Sequence, residues 1–253
     1  MAIITGAAAG LGKATALEFA RQGARIVAVD LDGDGVAETT RTVAESGGEI
    51  EAVTADVAVE GDVARMVAAA EERFGRLDIV VHCAAVLLRA GTRVDAFPTA
   101  AWQRSIDINL TGTFFCVKHA TPLLARSGGG VMILLASGAG IKGGSYSVAY
   151  AATKGGVHGI ALCARAQLQP LNIRLHVAIP ETMNTRMRVG ATGEYAALRG
   201  ESREQAEREE RARLPGPERS AQFLAGLATE AGAELLGEQL LVSVDEWRQR
   251  TGR

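Results

Sequence analysis

A serine, a tyrosine and a lysine are spaced so that together they could move a proton to or from a carbinol oxygen without a metal. Ser137 precedes Tyr150 by thirteen residues, and Lys154 follows the tyrosine by four. If residues 147–168 form a helix, Tyr150 and Lys154 share one face about one turn apart. The ammonium is then expected to lower the phenol pKa from its ordinary ~10, which would make the phenolate a general base near neutral pH. Ser137 is expected to hydrogen-bond the same substrate oxygen.

The composition is that of a globular protein with a large core. The 253 residues are 47% hydrophobic and include 30 glycines, which suits one α/β domain with short strands and tight turns. A formal charge of −2 gives no electrostatic argument for nucleic acid or an anionic membrane as a partner. No stretch approaches the ~18 uninterrupted apolar residues of a membrane span, and the first residues lack a signal-peptide pattern. The expected location is the cytoplasm, where the three cysteines would be reduced core residues.

Short apolar runs alternate with longer segments of helical periodicity. Several of the runs are continuously aliphatic, as expected for strands that helices cover on both faces. This alternation predicts right-handed β-α-β units and an α/β fold with one doubly wound parallel sheet of about seven strands, in a single domain over residues 1–253. The predicted strands are 2–5, 25–29, 49–54, 79–82, 131–136, 174–179 and 239–244, and the predicted helices include 11–22, 60–74, 110–126, 147–168 and 217–228.

One charged segment interrupts the alternation between the sixth and seventh predicted strands. Residues 201–213 hold five Glu and four Arg in thirteen positions. One interpretation is a solvated helix laced with ion pairs. The other is a mobile flap over a substrate site, which would extend over residues 183–215.

A glycine-rich turn directly follows the first predicted strand. Gly6, Gly10 and Gly12, with Leu11 between the last two, open a predicted helix. Glycines there allow a sharp turn and close approach to a pyrophosphate, which would lie at the positive end of the helix dipole. Asp30 ends the second predicted strand, where a carboxylate accepts hydrogen bonds from a ribose 2′-hydroxyl and repels a 2′-phosphate. This pattern predicts NAD as the cofactor in preference to NADP, unless Asp30 only caps a turn.

Two further polar positions fall near the same edge of the sheet. Asp56-Val57 ends the third predicted strand, where the adenine of a dinucleotide should lie, although Asp56 could instead be the N-cap of the next helix. Asn109 lies inside a helical pattern in which asparagine is a poor choice. A functional or kink-stabilising role is therefore expected for Asn109.

These residues together resemble the short-chain dehydrogenase/reductase family over essentially the whole chain. The Gly-x-x-x-Gly-x-Gly spacing is this family's form of the nucleotide-binding turn, and the Ser–Tyr–Lys spacing, Asp56 and Asn109 fall where the family has equivalents. Gly237-Glu238-Gln239 and the apolar strand after it also match. The resemblance implies a Rossmann-type fold, a nicotinamide cofactor and a homotetramer or dimer.

The resemblance also implies a role for each matching residue. Tyr150 would be the general acid/base, and Lys154 would lower its pKa and hold the nicotinamide ribose. Ser137 would orient the substrate oxygen. Asn109 would support a water through which the proton leaves by way of Lys154. Thr185 is similar to the threonine that contacts the nicotinamide side of the cofactor.

Three positions depart from the family pattern. The family's Asn-Asn-Ala-Gly after the fourth strand is His82-Cys83-Ala84-Ala85 here, which affects the local geometry around Ala84, a residue expected to contact the cofactor. The usual Pro-Gly after the sixth strand is Pro180-Glu181, and its carboxylate either points to solvent or selects a cationic or hydroxyl-rich substrate. The terminal Asp-Gly-Gly is replaced by Ser243-Val244-Asp245.

The function that these features predict is NAD-dependent interconversion of a secondary alcohol and a ketone, with a small molecule as substrate. A carbonyl reductase or a dihydrodiol-type dehydrogenase would use the same residues. An alternative of another class is a catalytically weak, dinucleotide-binding regulator. His82 is expected to pack at a strand end, and the other three histidines lack convergent carboxylates or cysteines, so no metal site is expected. The helices at 110–126 and 147–168 are rich in Ala and Gly, which permits close packing between subunits.

Overall fold

Seven parallel strands form one sheet in a computed structural model that describes residues 1–143, 147–236 and 241–252. Their order across the sheet is β3-β2-β1-β4-β5-β6-β7. The strands β2 and β3 are therefore added on one side of β1, and β4 to β7 are added on the other side. The predicted Rossmann-type fold is confirmed, and the first six predicted strands agree with the observed ones to within one residue at each end. The strands are β1 (Ala2–Thr5), β2 (Ile26–Asp30), β3 (Ile50–Thr54), β4 (Ile79–His82), β5 (Gly130–Leu135), β6 (Ile173–Ile179) and β7 (Leu241–Ser243).

Helices connect the strands, and four of the predicted ones are confirmed to within one residue at each end. The exception is 110–126, where a π-helix over Ile106–Thr111 comes before the α-helix. In chain order the α-helices are α1 (Gly10–Arg21), α2 (Gly33–Glu45), α3 (Glu60–Phe74), α4 (Thr99–Ser105), α5 (Gly112–Arg126), α6 (Ala139–Lys142), α7 (Val148–Leu168), α8 (Arg186–Leu198), α9 (Arg203–Arg213), α10 (Glu218–Leu227), α11 (Glu230–Leu236) and α12 (Val244–Thr251).

The sheet has a hydrophobic core on each face. Alternate strand residues point to opposite faces, and in β1 Ile3 belongs to one core whereas Ala2 and Ile4 belong to the other. The first core includes side chains of α3, α5 and α7, and the second includes side chains of α1 and α10. Strands covered in this way are doubly wound, as the continuous aliphatic runs predicted. The carboxyl ends of all strands meet at one edge of the sheet, where ligands of such folds bind.

The chain after β7 differs from the predicted strand 239–244. Ser243 is the N-cap of α12, and a reciprocal capping box with Glu246 starts this helix where the family's Asp-Gly-Gly is missing. Trp247 packs on Phe223 of α10, with the ring centroids 6.0 Å apart. Part of the predicted strand and Gly237-Glu238-Gln239 lie outside the described residues.

Across the described ranges, no helix combines the length and the apolar character that crossing a bilayer requires.

Candidate active site

The first turn of α7 is fixed to a loop at the carboxyl edge of the sheet. Ser147 is the N-cap of α7 and accepts a hydrogen bond from Tyr150 N at 3.4 Å. The same hydroxyl donates to Leu88 O at 2.9 Å, in the loop that follows β4. Ser147 is fully buried, so this cap positions Tyr150 relative to the sheet edge.

The structure brings Ser137, Tyr150 and Lys154 together. Ser137 lies close enough to Tyr150 for its hydroxyl to act on the phenol. Lys154 Nζ lies 5.7 Å from the centroid of the Tyr150 ring and donates to Leu135 O at 2.7 Å. The lysine is only 4% exposed. Its hydrogen bond to β5 holds the amine beside the phenol.

The expected direction of the Tyr150 pKa shift is wrong for this structure. Burial raises the pKa of the phenol, and the nearby Ser137 hydroxyl opposes that rise. Burial also lowers the pKa of Lys154 to about 8. Both shifts have one cause, because removal from water disfavours the charged form of either group. The sequence argument counted the neighbouring charge and left out desolvation.

The lowered pKa of Lys154 predicts how stability depends on pH. A lysine has an unfolded-state pKa of ~10.4, so between about pH 8 and 10 the unfolded chain binds more protons at this residue than the folded one. Stability contributed at this site therefore rises through that window, by on the order of 2 kcal/mol. We expect chemical denaturation of wild type and Lys154→Met to show a difference that is constant below pH 8 and shifts in favour of wild type above it. A difference that stays constant up to pH 10 would contradict the assignment.

Asn109 joins the π-helix to two other elements of the site. Its Oδ1 accepts from Val86 N at 2.8 Å, and its Nδ2 donates to Val86 O at 2.8 Å and to Thr153 Oγ1 at 3.1 Å. The side chain is 1% exposed. π-Helical turns are frequent at functional sites, and this one agrees with the predicted kink-stabilising role. The role of Asn109 in a proton path stays a prediction.

The glycine-rich turn is shaped by close backbone contacts. Gly6 and Gly10 have positive φ angles of 70° and 53°. A Cβ on Gly6 would lie 2.9 Å from Ala84 N, and a Cβ on Gly12 would overlap the carbonyl of Gly6. Gly10 faces Thr185, the N-cap of α8, whose Cγ2 would be 3.3 Å from an added Cβ. The turn therefore has no room for a Cβ at Gly6 or Gly12 and presents backbone at the start of α1.

Asp30 lies beside this turn, at the end of β2. One carboxylate oxygen accepts from Ala8 N at 3.0 Å, and the other accepts from Asp32 N at 3.0 Å. The turn-capping role is thus present in the structure. Each carboxylate oxygen can accept more than one hydrogen bond. Asp30 can therefore cap the turn and still accept a hydrogen bond from a ribose, and that contact stays a prediction.

Asp56 is not the N-cap of α3, because that position is occupied by Val59. The Asp56 carboxylate accepts from Ala58 N at 2.9 Å and from Arg104 Nη2 at 3.0 Å. Val57 is buried next to the start of α5. The adenine contact of Asp56-Val57 stays a prediction.

His82 stands where the family has asparagine, and its ring takes part in a buried hydrogen-bond network. Its Nδ1 is hydrogen-bonded to Thr5 Oγ1 at 2.9 Å and contacts Cys116 Sγ at 3.3 Å, while Thr5 Oγ1 accepts from Ala84 N at 3.1 Å. Burial, followed by the charge of Lys154, lowers the pKa of His82 to about 3, so the ring is neutral. Thr5 was missed by the sequence argument. Its signal was a polar residue at a buried strand end directly before a glycine turn.

Residues 183–215 form the paired helices α8 and α9. Glu210 is buried and accepts from Arg188 Nε at 2.7 Å and from Arg213 Nη2 at 2.8 Å. The predicted ion-paired helix is therefore present. Glu194 Oε2 accepts from Ala90 N at 3.0 Å and so holds this pair of helices against the loop after β4. The role as a flap stays a prediction.

The cysteines differ in their surroundings. Cys116 is buried, Cys83 is half-buried, and Cys163 is exposed, so the expectation of three core cysteines is wrong for Cys163. Burial raises the pKa of the Cys83 thiol to about 12. In the part of the chain that the structure describes, His, Cys, Asp and Glu side chains form no group of three that could hold a metal ion.

Comparisons with known proteins agree on one family. The family model described as short chain dehydrogenase matches residues 1–195. The chain is 31% identical to a cis-4-hydroxycyclohexanecarboxylate dehydrogenase of Sinomonas cyclohexanicum, over 96% of this chain and 94% of that protein. It is 29% identical to a cyclohexanol dehydrogenase of Acinetobacter sp. (strain SE19), over 96% and 92% of the two chains.

Two solved structures share the whole fold. Levodione reductase has a TM-score of 0.86 and 27% identity, with 100% of this chain and 98% of that chain covered. A short chain dehydrogenase from Mycobacterium paratuberculosis bound to NAD has a TM-score of 0.82 and 30% identity, with 97% and 96% covered. Sheet order, glycine-rich turn and sequence similarity together establish that this chain belongs to the short-chain dehydrogenase/reductase family of oxidoreductases.

Proposed function

We propose that this chain is an NAD-dependent oxidoreductase that interconverts a secondary alcohol and a ketone. The observation that carries the proposal is the convergence of Ser137, Tyr150 and Lys154 at the carboxyl edge of the sheet. A hydroxyl, a phenol and an amine meet there. Such a set can exchange a proton with a carbinol oxygen, and it suits hydride chemistry supplied by a cofactor.

The residues present fit a dinucleotide. The cradle of Gly6, Gly10 and Gly12 would be filled by any Cβ, so its backbone can approach a pyrophosphate at the start of α1. Asp30 and Asp56-Val57 would contact the adenosine half of the cofactor. Ala84, next to the glycine-rich turn, would also contact the cofactor. On the other half, Thr185 would contact the nicotinamide side, and Tyr150 and Lys154 would hold the ribose. When bound, the nicotinamide accepts or gives the hydride.

The chain's own residues would handle the proton. Ser137 would hold the substrate oxygen through its hydroxyl. During oxidation the Tyr150 phenol would pass its own proton toward Lys154 and take the proton of the alcohol in its place. During reduction the phenol would give a proton to the carbonyl oxygen. Lys154, with a pKa of about 8, can change protonation near neutral pH and would relay the proton. Asn109 would support the water at the end of that path.

Asp30 tests the cofactor preference. Replacing it by Ala removes the acceptor for the 2′-hydroxyl and the charge that repels a 2′-phosphate, so kcat/KM with NAD should fall and kcat/KM with NADP should rise. We expect the NAD/NADP ratio of kcat/KM to drop by about 10- to 100-fold, the effect of one or two hydrogen bonds to a charged group. Initial rates with both cofactors on a panel of cyclic secondary alcohols measure this ratio. An unchanged ratio would contradict the ribose argument, and no turnover of any alcohol would favour the regulator.

We also propose a cyclic secondary alcohol or ketone as the substrate. Two of the relatives carry names of enzymes that oxidise cyclohexane alcohols, and both align with this chain over 96% of its length. A second candidate is the reductive direction or a dihydrodiol-type reaction at the same site. The similarity to levodione reductase favours that reductive direction. An intact Ser–Tyr–Lys set weighs against a regulator without turnover.

A homo-oligomer in the cytoplasm, a tetramer or a dimer, completes the proposal. Phe114 on α5 and Leu162 on α7 are 48% and 60% exposed, and apolar side chains of this size on neighbouring helices suit a subunit contact. The three cysteines are free, as expected in a reducing compartment. Residues 183–215 would form the flap over the substrate.

A further inference from the structure

The turn after β6 lies between the candidate catalytic residues and the glycine-rich turn. β6 pairs with β5, which ends just before Ser137. At the other end of the turn, Thr185 lies against Gly10. A dinucleotide whose pyrophosphate lies on Gly10 and whose ring reaches Tyr150 therefore passes this turn with its nicotinamide half. Glu181, where the family has glycine, occupies this turn.

Glu181 has one paired and one unpaired carboxylate oxygen. Its Oε2 accepts from Arg219 Nη1 at 3.3 Å. Its Oε1 is inaccessible to solvent and meets no donor among the residues that the structure describes. A buried acceptor without a donor is unfavourable, and a carboxylate more so than a neutral group. Glu181 therefore does not simply point to solvent, whereas selection of a cationic or hydroxyl-rich substrate stays a prediction.

We propose that Glu181 Oε1 accepts a hydrogen bond from the carboxamide N–H of the nicotinamide, while Arg219 compensates the carboxylate charge. This inference rests on the proposed function. A carboxylate only accepts, so its partner must carry N–H or O–H. The pyrophosphate offers only acceptor oxygens of like charge, and the ribose hydroxyls are assigned to Tyr150 and Lys154. The carboxamide is the donor that remains on this half of the cofactor.

The test measures binding without turnover. Isothermal titration compares NAD, its 3-acetylpyridine analogue, in which a methyl group replaces the carboxamide nitrogen, and ADP-ribose, which lacks the ring. Wild type should prefer NAD to the analogue. Glu181→Ala should weaken NAD binding by about tenfold, as expected for one hydrogen bond to a charged group, and abolish that preference. Affinity for ADP-ribose should not change. Glu181→Gln keeps an acceptor and should retain part of the preference, and Glu45→Gln on α2 is the matched exposed control.

Several results would overturn the inference. One is a preference for NAD over the analogue that survives in Glu181→Ala. Another is an equal loss of affinity for ADP-ribose, since it would show that the carboxylate acts on the pyrophosphate. A third is a change confined to KM for the alcohol. Unliganded Glu181→Ala should also melt no lower than wild type, and a lower Tm would show a structural role instead. If wild type binds neither NAD nor ADP-ribose, the proposed function itself fails.

Discussion

Tyr150→Phe is expected to lower kcat by roughly 10²- to 10⁴-fold, the range for loss of a general acid/base. The substitution removes one oxygen, the atom that would exchange a proton with the alcohol. Tyr150 is packed at the start of α7, and its ring lies near the Lys154 amine, so phenylalanine can occupy the same space. The measurement is the steady-state rate of NADH formation with a saturating alcohol.

The same variant separates chemistry from binding. The phenol is one of several contacts proposed for the cofactor, so the Kd for NAD should change by less than about threefold, which is under 1 kcal/mol. Titration with NAD and the Tm of the unliganded protein provide the two controls. Full activity in a folded Tyr150→Phe variant would reject the assigned proton carrier and leave the fold assignment intact.

Gly12→Ala is expected to weaken NAD binding by about 100-fold or more. The added Cβ would overlap the carbonyl of Gly6, and backbone atoms cannot rotate away as a flexible side chain can. The turn must open, and Gly6 would then lose its approach to Ala84. A shift of this kind moves the amides that would face the pyrophosphate. The affinity for ADP-ribose, which carries the pyrophosphate, reports the effect directly.

Gly61 offers a matched control for this substitution. It lies in the first turn of α3, and an added Cβ there would meet no atom within 4 Å. Gly61→Ala should therefore leave binding unchanged and raise stability slightly, by about 0.5–1 kcal/mol at most, because alanine is the better helix former. If Gly12→Ala and Gly61→Ala bound NAD with equal affinity, the glycine-rich turn would be shown to tolerate a side chain at Gly12.

Local patterns in the sequence were sufficient to predict the strands of the sheet and the glycine-rich turn. Aliphatic runs mark strands covered on both faces, and Gly12 is needed because backbone a few residues away leaves no space. Other features depend on contacts between distant residues. The rise of the Tyr150 pKa follows from burial by several elements, and Glu181 finds Arg219 on a helix 38 positions further along the chain. No spacing rule predicts either.

The two ends of the excursion between β6 and α10 touch. Asn184 N donates to Pro215 O at 2.7 Å, so the backbone leaves and returns at nearly the same point. A shorter, longer or differently folded insert could therefore be grafted between these two positions without displacing the strand before it or the helix after it. An insert whose two ends lie together allows the substrate range of an enzyme to diverge while its proton-transfer residues are inherited unchanged.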